Sequence, residues 1–411
     1  MDPIRRSKVS AIVTAPRVGP QEINGRRYAI PLASTSIFLT AAHGGLGLLI
    51  KLFLQQQGFS PLIISSVSSV NAAGVMLGSL FWGRLSDRGA RRTLLFITSI
   101  GSGIAVTILL LMPPASVILA SSFARVFMRM GFMTITIAII SGASVVSRRG
   151  KNLSFVTSAQ AFGMCAGNAV GGFMLEYLGF RGGFAVAAVL SLAGSAFLFL
   201  LPNERVTVVE SKQSSWSLAL SAGLTDLYIS TVLRQMAIHG AFSLLAVYMA
   251  SVGIPPRYIG LVAAMNTGTQ VVAMLVFGRL ADRIGRRRIF MLGFALSALT
   301  PCVFALSTHI LAMMAGYVTL GLGFSSLYIG STAHIGDRVP PDKQGTMMGL
   351  YETSRGLGGI LGPLVAGSIT PVVGYRGMFL VMACIAALGF LLMYIRRRVG
   401  VSQSTQPGPS S

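Results

Sequence analysis

Two arginines lie inside a long apolar stretch of the sequence, where charge is rare. Arg125 and Arg129 fall within residues 116–146 and are four positions apart, so a helix presents both on one face. A charge at the centre of a bilayer costs ~2.5–3.5 kcal/mol on insertion scales, so such side chains face the protein interior or a water-filled cavity. Two guanidinium groups on one wall suit a carboxylate or a phosphate. The alternatives are a structural partner such as Glu352, or a side chain that reaches the membrane interface.

Glu352 and Arg355 form the only opposite-charge pair clearly inside an apolar stretch. They are three positions apart and could simply neutralise each other. A carboxyl group that is partly removed from water can also take up and release a proton. We therefore treat Glu352 as the best candidate for a proton carrier, with Arg355 as its partner.

Histidine and asparagine recur at matching positions in the two halves of the sequence. A lone histidine in a membrane is more often a packing residue than a titrating one, but the matching pair His43 and His239 also favours a role in a cavity. Asn71 and Asn266 either join helices through hydrogen bonds or contact a substrate. Arg234, ten residues into its apolar stretch, is a further cavity candidate.

The elements that must position these residues are membrane helices. The composition is 53% hydrophobic and only 11% charged, with a mean hydropathy of +0.72, which a soluble domain could not carry without an apolar surface. Twelve apolar runs are long enough to cross a bilayer of ~30 Å as helices. We number them as the first to the twelfth span: 28–56, 62–83, 93–112, 116–146, 153–177, 182–202, 224–250, 257–278, 289–307, 310–334, 345–370 and 375–395.

Basic residues are distributed unevenly between the two sides of this arrangement. Of the 33 Lys and Arg residues, 25 lie in segments on the side of the termini, against Arg181, Arg257 and Arg376 on the other side. The positive-inside rule therefore predicts that both termini are cytoplasmic. Basic charge is spread over the loops, so no domain remains that could bind nucleic acid.

A charged segment occurs twice, 195 positions apart, and each copy lies between two apolar runs. Residues 83–92 and 278–287 are these copies, and we call them the two clamps. Many other landmarks repeat at nearly the same offset, which predicts two homologous six-helix halves in parallel orientation. The predicted organisation is a cytoplasmic arm (1–27), an N-terminal half (28–202), a cytoplasmic linker (203–223), a C-terminal half (224–398) and a disordered tail (399–411).

The clamps resemble the loop motif G-x-L-a-D-r-x-G-r-r of the major facilitator superfamily of transporters, although the first copy has its second glycine one place early, at Gly89. Residues 124–131 are similar to the fourth-helix motif of that family, and residues 163–172 to the fifth-helix motif of its exporters, with Asn168 in place of the proline. The resemblance implies that the first, fourth, seventh and tenth spans line a central cavity. It also implies that Asp87 braces the two halves while the cytoplasmic side is closed.

Arginines in the clamps serve topology first, whereas Asp87 and Asp282 gain nothing from the positive-inside rule. An aspartate at a helix end can meet the positive end of another helix and a neighbouring arginine in one conformation and lose both in another. The predicted conformational clamp therefore consists of Gly83, Asp87, Arg88, Arg91, Gly278, Asp282, Arg283 and Arg286.

Glycines at four-residue spacing allow close approach of helix backbones in lipid. The predicted helix-packing residues are Gly163, Gly167, Gly171, Gly358, Gly362 and Pro363, and the proline should bend its helix. We also expect this surface to flex where the two halves meet.

Enzyme motifs are absent, and the three cysteines are far apart in the sequence, so neither a metal site nor a cofactor is expected. The sequence and the resemblance predict a monomeric transporter of the cell membrane, working by alternating access. Its partners would be lipid, a small molecule and protons, and it would export a drug-like compound or metabolite by proton antiport. One alternative is an organic or phosphate-type anion carrier that uses Arg125 and Arg129. Another is a receptor or scaffold that does not transport.

Overall fold

The computed structural model describes residues 25–87, 89–144, 146–202, 225–336 and 341–403. The predicted linker and most of the predicted arm and tail lie outside these residues. Within them the chain forms ten long helices. They are α1 (Gly25–Gln56), α2 (Pro61–Asp87), α3 (Arg91–Thr107), α4 (Ala115–Ala143), α5 (Val146–Ala196), α6 (Thr225–Ser251), α7 (Pro256–Ile284), α8 (Arg286–Leu306), α9 (Ile310–Gly336) and α10 (Pro341–Gln403).

All ten helices are long and apolar enough to cross a membrane. Two of them, α5 and α10, are broken by a glycine at equivalent positions. Gly179 has φ 67° and Gly374 has φ 69°, a conformation that residues with a Cβ seldom adopt. Each break divides its helix into two arms, and it falls where the sequence predicts a boundary between the fifth and sixth or the eleventh and twelfth spans.

The first helix of each half ends with the same cap. Gly58 follows α1 with φ 76°, and Gly253 follows α6 with φ 83°. In the first cap the N–H of Gly58 donates to Gln55 O and the N–H of Phe59 donates to Leu54 O, at 3.0 and 3.1 Å. This is the Schellman pattern, and the equivalent bonds recur after α6. The repeat found in the sequence therefore extends to the hydrogen bonds of the turns.

Helix packing follows a two-fold pattern. Within the N-terminal half α1 packs mainly against α5, and within the C-terminal half α6 packs mainly against α10. Between the halves, α2 packs on α10 and α5 packs on α7. These two contacts are equivalent, since exchanging the halves turns one into the other.

The predicted glycine rows lie inside the halves and not between them. A Cβ added at Gly163 or Gly167 would overlap backbone atoms of α1, and a Cβ at Gly358 or Gly362 would overlap backbone atoms of α6. Gly171 faces Gly45 of α1, and Pro363 is buried in α10. The interface between the halves uses a neighbouring face of α5, because a Cβ at Gly172 would overlap Pro256 O of α7. The glycine rows thus hold each half together.

Contacts between the halves that involve α2 and α10 follow one edge of each helix. Ser69 Oγ donates to Ile360 O at 2.7 Å, and Gly359 and Gly356 face Ala72 and Met76. Ser69 and Ala72 lie in the half of α2 nearest the cap at Gly58, and Met76 lies close to the middle of that helix. None of them belongs to a clamp.

Two hydrogen bonds between α1 and α6 also lie toward the capped ends of these helices. Lys51 Nζ and Gln55 Nε2 of α1 donate to Phe242 O and Val247 O of α6, both at 3.5 Å. The halves are thus joined at the end that is remote from the clamps.

Candidate substrate site

Arg125 is the largest fully buried side chain of the described structure, with 2% of its surface exposed. The backbone of Arg125 is fixed to the neighbouring helix, because Ser102 Oγ of α3 donates to Arg125 O at 3.3 Å. Its Nη1 is hydrogen-bonded to Nδ1 of His43 on α1. Its Nε and Nη2 are buried and have no partner among the described residues.

Arg129 lies one helical turn from Arg125 on the same face of α4, as the spacing predicts. Its Nε is also buried without a hydrogen-bond partner among the described residues. An unpaired buried donor costs roughly 1–3 kcal/mol, and more when the group is charged. Three guanidinium nitrogens of Arg125 and Arg129 therefore lack an acceptor among the residues that the structure describes.

Arg234 occupies the C-terminal half and has a different environment. It is 6% exposed, and its Nε donates to Ser297 Oγ of α8 at 2.9 Å. Its Nη1 donates to Gln235 Oε1 at 2.6 Å, and Gln235 Nε2 is 2.8 Å from Nε2 of His239. A continuous chain of hydrogen bonds thus runs from Ser297 of α8 through Arg234 and Gln235 to His239. Nε and Nη1 of Arg234 are therefore both paired with groups of the protein.

His239 lies next to the contact between the halves. A Cβ added at Gly359 of α10 would be 3.4 Å from His239 Nδ1 and 3.3 Å from the Cβ of Ala72 on α2. His43 and His239 are both half-buried within the helix bundle, as their matching positions suggest. His43 contacts Arg125 directly, whereas His239 is linked to Arg234 through Gln235.

Glu352 and Arg355 are brought together as predicted, with Arg355 Nη1 donating to both carboxylate oxygens at 2.8 and 3.0 Å. The guanidinium also lies 5.7 Å from the ring centre of Phe324. The Glu352 side chain is 54% exposed, so the protein itself does not remove this carboxyl from water. Glu352 is thus engaged with Arg355, and the alternative that it is the structural partner of Arg125 or Arg129 is not observed.

The two asparagines differ. Asn266 Oδ1 accepts a hydrogen bond from Gln270 Nε2 of its own helix at 3.1 Å, so this bond does not join two helices. Asn71 Oδ1 is buried and has no partner among the described residues. Asn71 therefore keeps a free acceptor.

Three contacts were missed in the sequence. Gln235 lies four residues before His239 and beside Arg234, a spacing that could have indicated the hydrogen-bond chain. Ser297 gives no such signal. The ion pair between Glu176 of α5 and Arg257 of α7, at 2.7 Å, joins residues 81 positions apart, and only the packing of the two halves brings them together.

A comparison with protein families decides the class of protein. The model of the Major Facilitator Superfamily matches residues 32–250 and 227–410, which together span most of the chain. The chain belongs to the major facilitator superfamily. It is a transporter and not an enzyme.

The chain matches most of the length of several relatives in the superfamily. An uncharacterized MFS-type transporter, YuxJ of Bacillus subtilis, is 27% identical over 79% of this chain and 85% of its own. Multidrug resistance protein MdtG of Klebsiella pneumoniae is 24% identical over 80% and 82%. The multi-drug resistance efflux pump PmrA of Streptococcus pneumoniae is 23% identical over 84% and 88%.

Solved structures of the superfamily share the fold at low identity. A bacterial homologue of the human lysosomal transporter Spinster, described as inward-facing and unoccupied, matches with a TM-score of 0.76 at 12% identity, over 95% of this chain and 100% of its own. The nucleoside transporter NupG matches with a TM-score of 0.70 at 16% identity, over 89% and 98%.

The superfamily clamps occupy the ends of α2 and α7. Asp87 is exposed at the last position of α2, and Arg91 Nε donates to Ser86 O at 3.2 Å across the turn. Gly83 and Gly278 lie within the two helices, and Arg283 is exposed. Arg88 and the side chains of Asp282 and Arg286 lie outside the described part of the structure.

The turn of the first clamp carries backbone strain. Gly89 has φ 100°, and Ala90, which occupies the position of Gly285 in the second clamp, has φ 55°. Gly285 itself has φ 95°. The early glycine of the first copy therefore leaves an alanine in a left-handed conformation.

Proposed function

We propose that this protein is a secondary transporter that moves a small organic anion across the cell membrane by alternating access. One observation carries the proposal. Arg125 and Arg129 bury three guanidinium nitrogens inside the N-terminal half, and these nitrogens have no partner in the described part of the chain. A carboxylate or a phosphate supplies the acceptors that these donors lack, and a charge-assisted bond to such a group is stronger than a neutral one.

Twelve membrane crossings with both termini in the cytoplasm fit this function. The glycine breaks of α5 and α10 support two crossings for each of these helices, which adds two to the ten long helices. The excess of Lys and Arg on the side of the termini supports the orientation.

We assign the described conformation to the state in which the central cavity opens toward the cytoplasm. Support comes from the described contacts between the halves, which lie toward the end of the helices remote from the clamps. Asp87 is exposed and has no ion-pair partner among the described residues. Closing the cytoplasmic side would then bring the clamps against the opposite half, and the Glu176–Arg257 pair would separate.

Export is the direction that the relatives favour. MdtG is named as a multidrug resistance protein, and PmrA is named as a multi-drug resistance efflux pump. The glycine row of α5 resembles the motif of exporters in the superfamily. We therefore propose that the anion leaves the cell, with the protein acting as a monomer.

A screen of thermal stability on the purified protein tests the anionic substrate class. Benzoate, citrate and inorganic phosphate are compared with tetraphenylphosphonium and with neutral sugars. We expect anions to raise the unfolding temperature of the wild type, and this rise to disappear in Arg125→Gln but to persist in Arg181→Gln, an exposed arginine outside the cavity. Stabilisation by the cation alone, unchanged in Arg125→Gln, would contradict the proposal.

Proton-coupled efflux of a drug-like compound is the second candidate, because the relatives are named for drug resistance and Glu352 is paired with a single arginine. Transport of such a compound in liposomes with an imposed pH gradient would stop in Glu352→Gln. If Glu352→Gln keeps pH-driven transport, Glu352 is not the proton carrier. A receptor that does not transport would instead show no flux at all and would be insensitive to Asp87→Asn.

A further inference from the structure

We propose that His43 is the proton-binding group of the transporter, and that an anion bound to Arg125 is what allows His43 to take up a proton. This inference rests on the proposed function and gives it a coupling ion at a residue other than Glu352. It starts from the hydrogen bond between Arg125 Nη1 and His43 Nδ1.

Donor and acceptor chemistry determines the state of His43 in this structure. A guanidinium group has five N–H donors and no acceptor, so His43 must accept. Nδ1 therefore carries a lone pair, and the single proton of the ring is on Nε2. An imidazolium ion donates from both nitrogens and could not accept this bond. His43 is neutral as long as Arg125 contacts it.

The charged groups near His43 disfavour a further positive charge on its ring. Arg125 and Arg129 of α4 are cationic, and α5 contributes Met164 and Asn168 beside Gly44, neither of which carries a charge. Lys51 lies on α1 itself, and α6 carries Arg234 and His239 in its interior part. The remaining charged groups on the helices packed against α1 lie near helix ends: Arg84 and Asp87 on α2, Arg148, Arg149, Lys151, Glu176 and Arg181 on α5, and Asp226 on α6.

A bound anion reverses both obstacles. A carboxylate that binds Arg125 and Arg129 supplies acceptors for their open donors and offsets positive charge beside His43. The guanidinium can then turn from His43 to the anion. The lone pair of Nδ1 is released and takes a proton from water in the cavity, while Nε2 keeps its own. The site gains one negative and one positive charge, so its net charge is unchanged.

Binding of the anion and binding of the proton are therefore linked, and each strengthens the other by the same factor. For a single linked proton, anion binding tightens by up to about tenfold for each unit by which the pH falls. The anion and the proton are then carried together.

His239 provides an internal comparison. Gln235 Oε1 is occupied by Arg234 Nη1, so Gln235 Nε2 donates to His239 Nε2, and this ring is also a neutral acceptor. Its arginine, however, is anchored to Ser297 and Gln235. An anion has no comparable route to release His239. We expect only the histidine of the N-terminal half to respond.

Nitrogen NMR of ¹⁵N-histidine-labelled protein in lipid nanodiscs tests this proposal. The chain has four histidines, and the signals of the two interior ones are assigned with His43→Gln and His239→Gln. Spectra are recorded at about pH 6, near the ordinary pKa of free histidine. We expect neutral His43 in the wild type, a cationic His43 after benzoate is added, and neutral His239 in both. In Arg125→Gln, which loses the guanidinium while Arg129 keeps its charge, benzoate should no longer make His43 cationic, whereas Arg125→Lys, which keeps a charge and a donor, should retain part of the response.

Two results would overturn the link between Arg125 and His43: a cationic His43 in the wild type without anion, or a cationic His43 in Arg125→Gln after benzoate is added. Failure of the substrate class looks different. If benzoate and inorganic phosphate change no histidine signal and no unfolding temperature, the anionic substrate and its coupling to the proton are rejected. If benzoate raises the unfolding temperature while His43 stays neutral, the anionic substrate stands and its coupling to His43 is rejected. Gel filtration of each variant verifies that it is folded.

Discussion

Glu176 of α5 receives two hydrogen bonds from Arg257 of α7, one from the guanidinium at 2.7 Å and one from the backbone N–H at 3.4 Å. The carboxylate thus sits at the first turn of α7, where the positive end of the helix dipole also favours it. Because α5 and α7 belong to different halves, this pair joins the halves at the end remote from the clamps.

Breaking this pair should favour the conformation in which that end is open. An exposed ion pair contributes roughly 0.2–1 kcal/mol, so Glu176→Gln should shift the balance between the two conformations by a factor of about 1.4 to 5. Distance measurements between spin labels on α5 and α7 would detect the shift. Arg376→Gln, an exposed arginine at the same end, is the control and should leave the distances unchanged.

Ser297 should contribute to stability, although nothing in the sequence indicates a role for it. Ser297→Ala removes the acceptor of Arg234 Nε and leaves a buried charged donor unpaired, at a cost of roughly 1–3 kcal/mol. The unfolding temperature should fall accordingly. Thr353→Ala is the matched control, since its hydroxyl bonds only to Gly349 O of its own helix and is exposed. Equal unfolding temperatures for the two variants would refute this role.

Ala90→Gly should stabilise the protein. Ala90 has φ 55° and ψ 27°, and a left-handed conformation costs a residue with a Cβ roughly 1–2 kcal/mol. Glycine removes that strain and restores the residue found in the second clamp. Ala120→Gly, at an exposed position inside α4, should instead destabilise by about 0.5–1 kcal/mol. Chemical denaturation of both variants measures the free energy of unfolding and tests whether it rises in the first and falls in the second.

Gly167→Ala should disrupt the contact between α1 and α5. The added Cβ meets backbone atoms of Ala41, which cannot move aside as a flexible side chain would. Overpacking of this kind costs about 1–3 kcal/mol and should lower both the yield and the unfolding temperature. Gly47→Ala, with no atom within 4 Å of the new Cβ, should be tolerated. Similar behaviour of the two variants would contradict close packing at Gly167.

Asp87→Asn should leave the unfolding temperature of the described conformation unchanged, because Asp87 is exposed there and has no ion-pair partner among the described residues. Transport should nevertheless slow by roughly tenfold or more if Asp87 stabilises the opposite conformation by about 1.4 kcal/mol or more. Flux in liposomes measures this effect. Unchanged flux would show that the first clamp is not needed for the conformational change.

Hydropathy and the repeat were enough to predict the helices and the breaks near Gly179 and Gly374, because membrane helices need long apolar runs and each break repeats at a fixed offset. The burial of Arg125 also followed from its place within such a run. Its partner did not. Whether Arg125 meets His43, Glu352 or neither depends on how far α1 and α4 rotate about their axes, and helical periodicity does not determine that rotation. The same limit hid the contact of Glu176 with Arg257.

The contacts of α2 with α10 make α2 a lever. Met76 contacts Gly356 at this interface, and Asp87 lies eleven positions further along α2. At a rise of 1.5 Å per residue this arm is roughly 16 Å long, so tilting it by about 20° moves its tip by roughly 6 Å. A rotation small enough to preserve the packing at the pivot is thus magnified into a displacement the length of a side chain at the membrane surface.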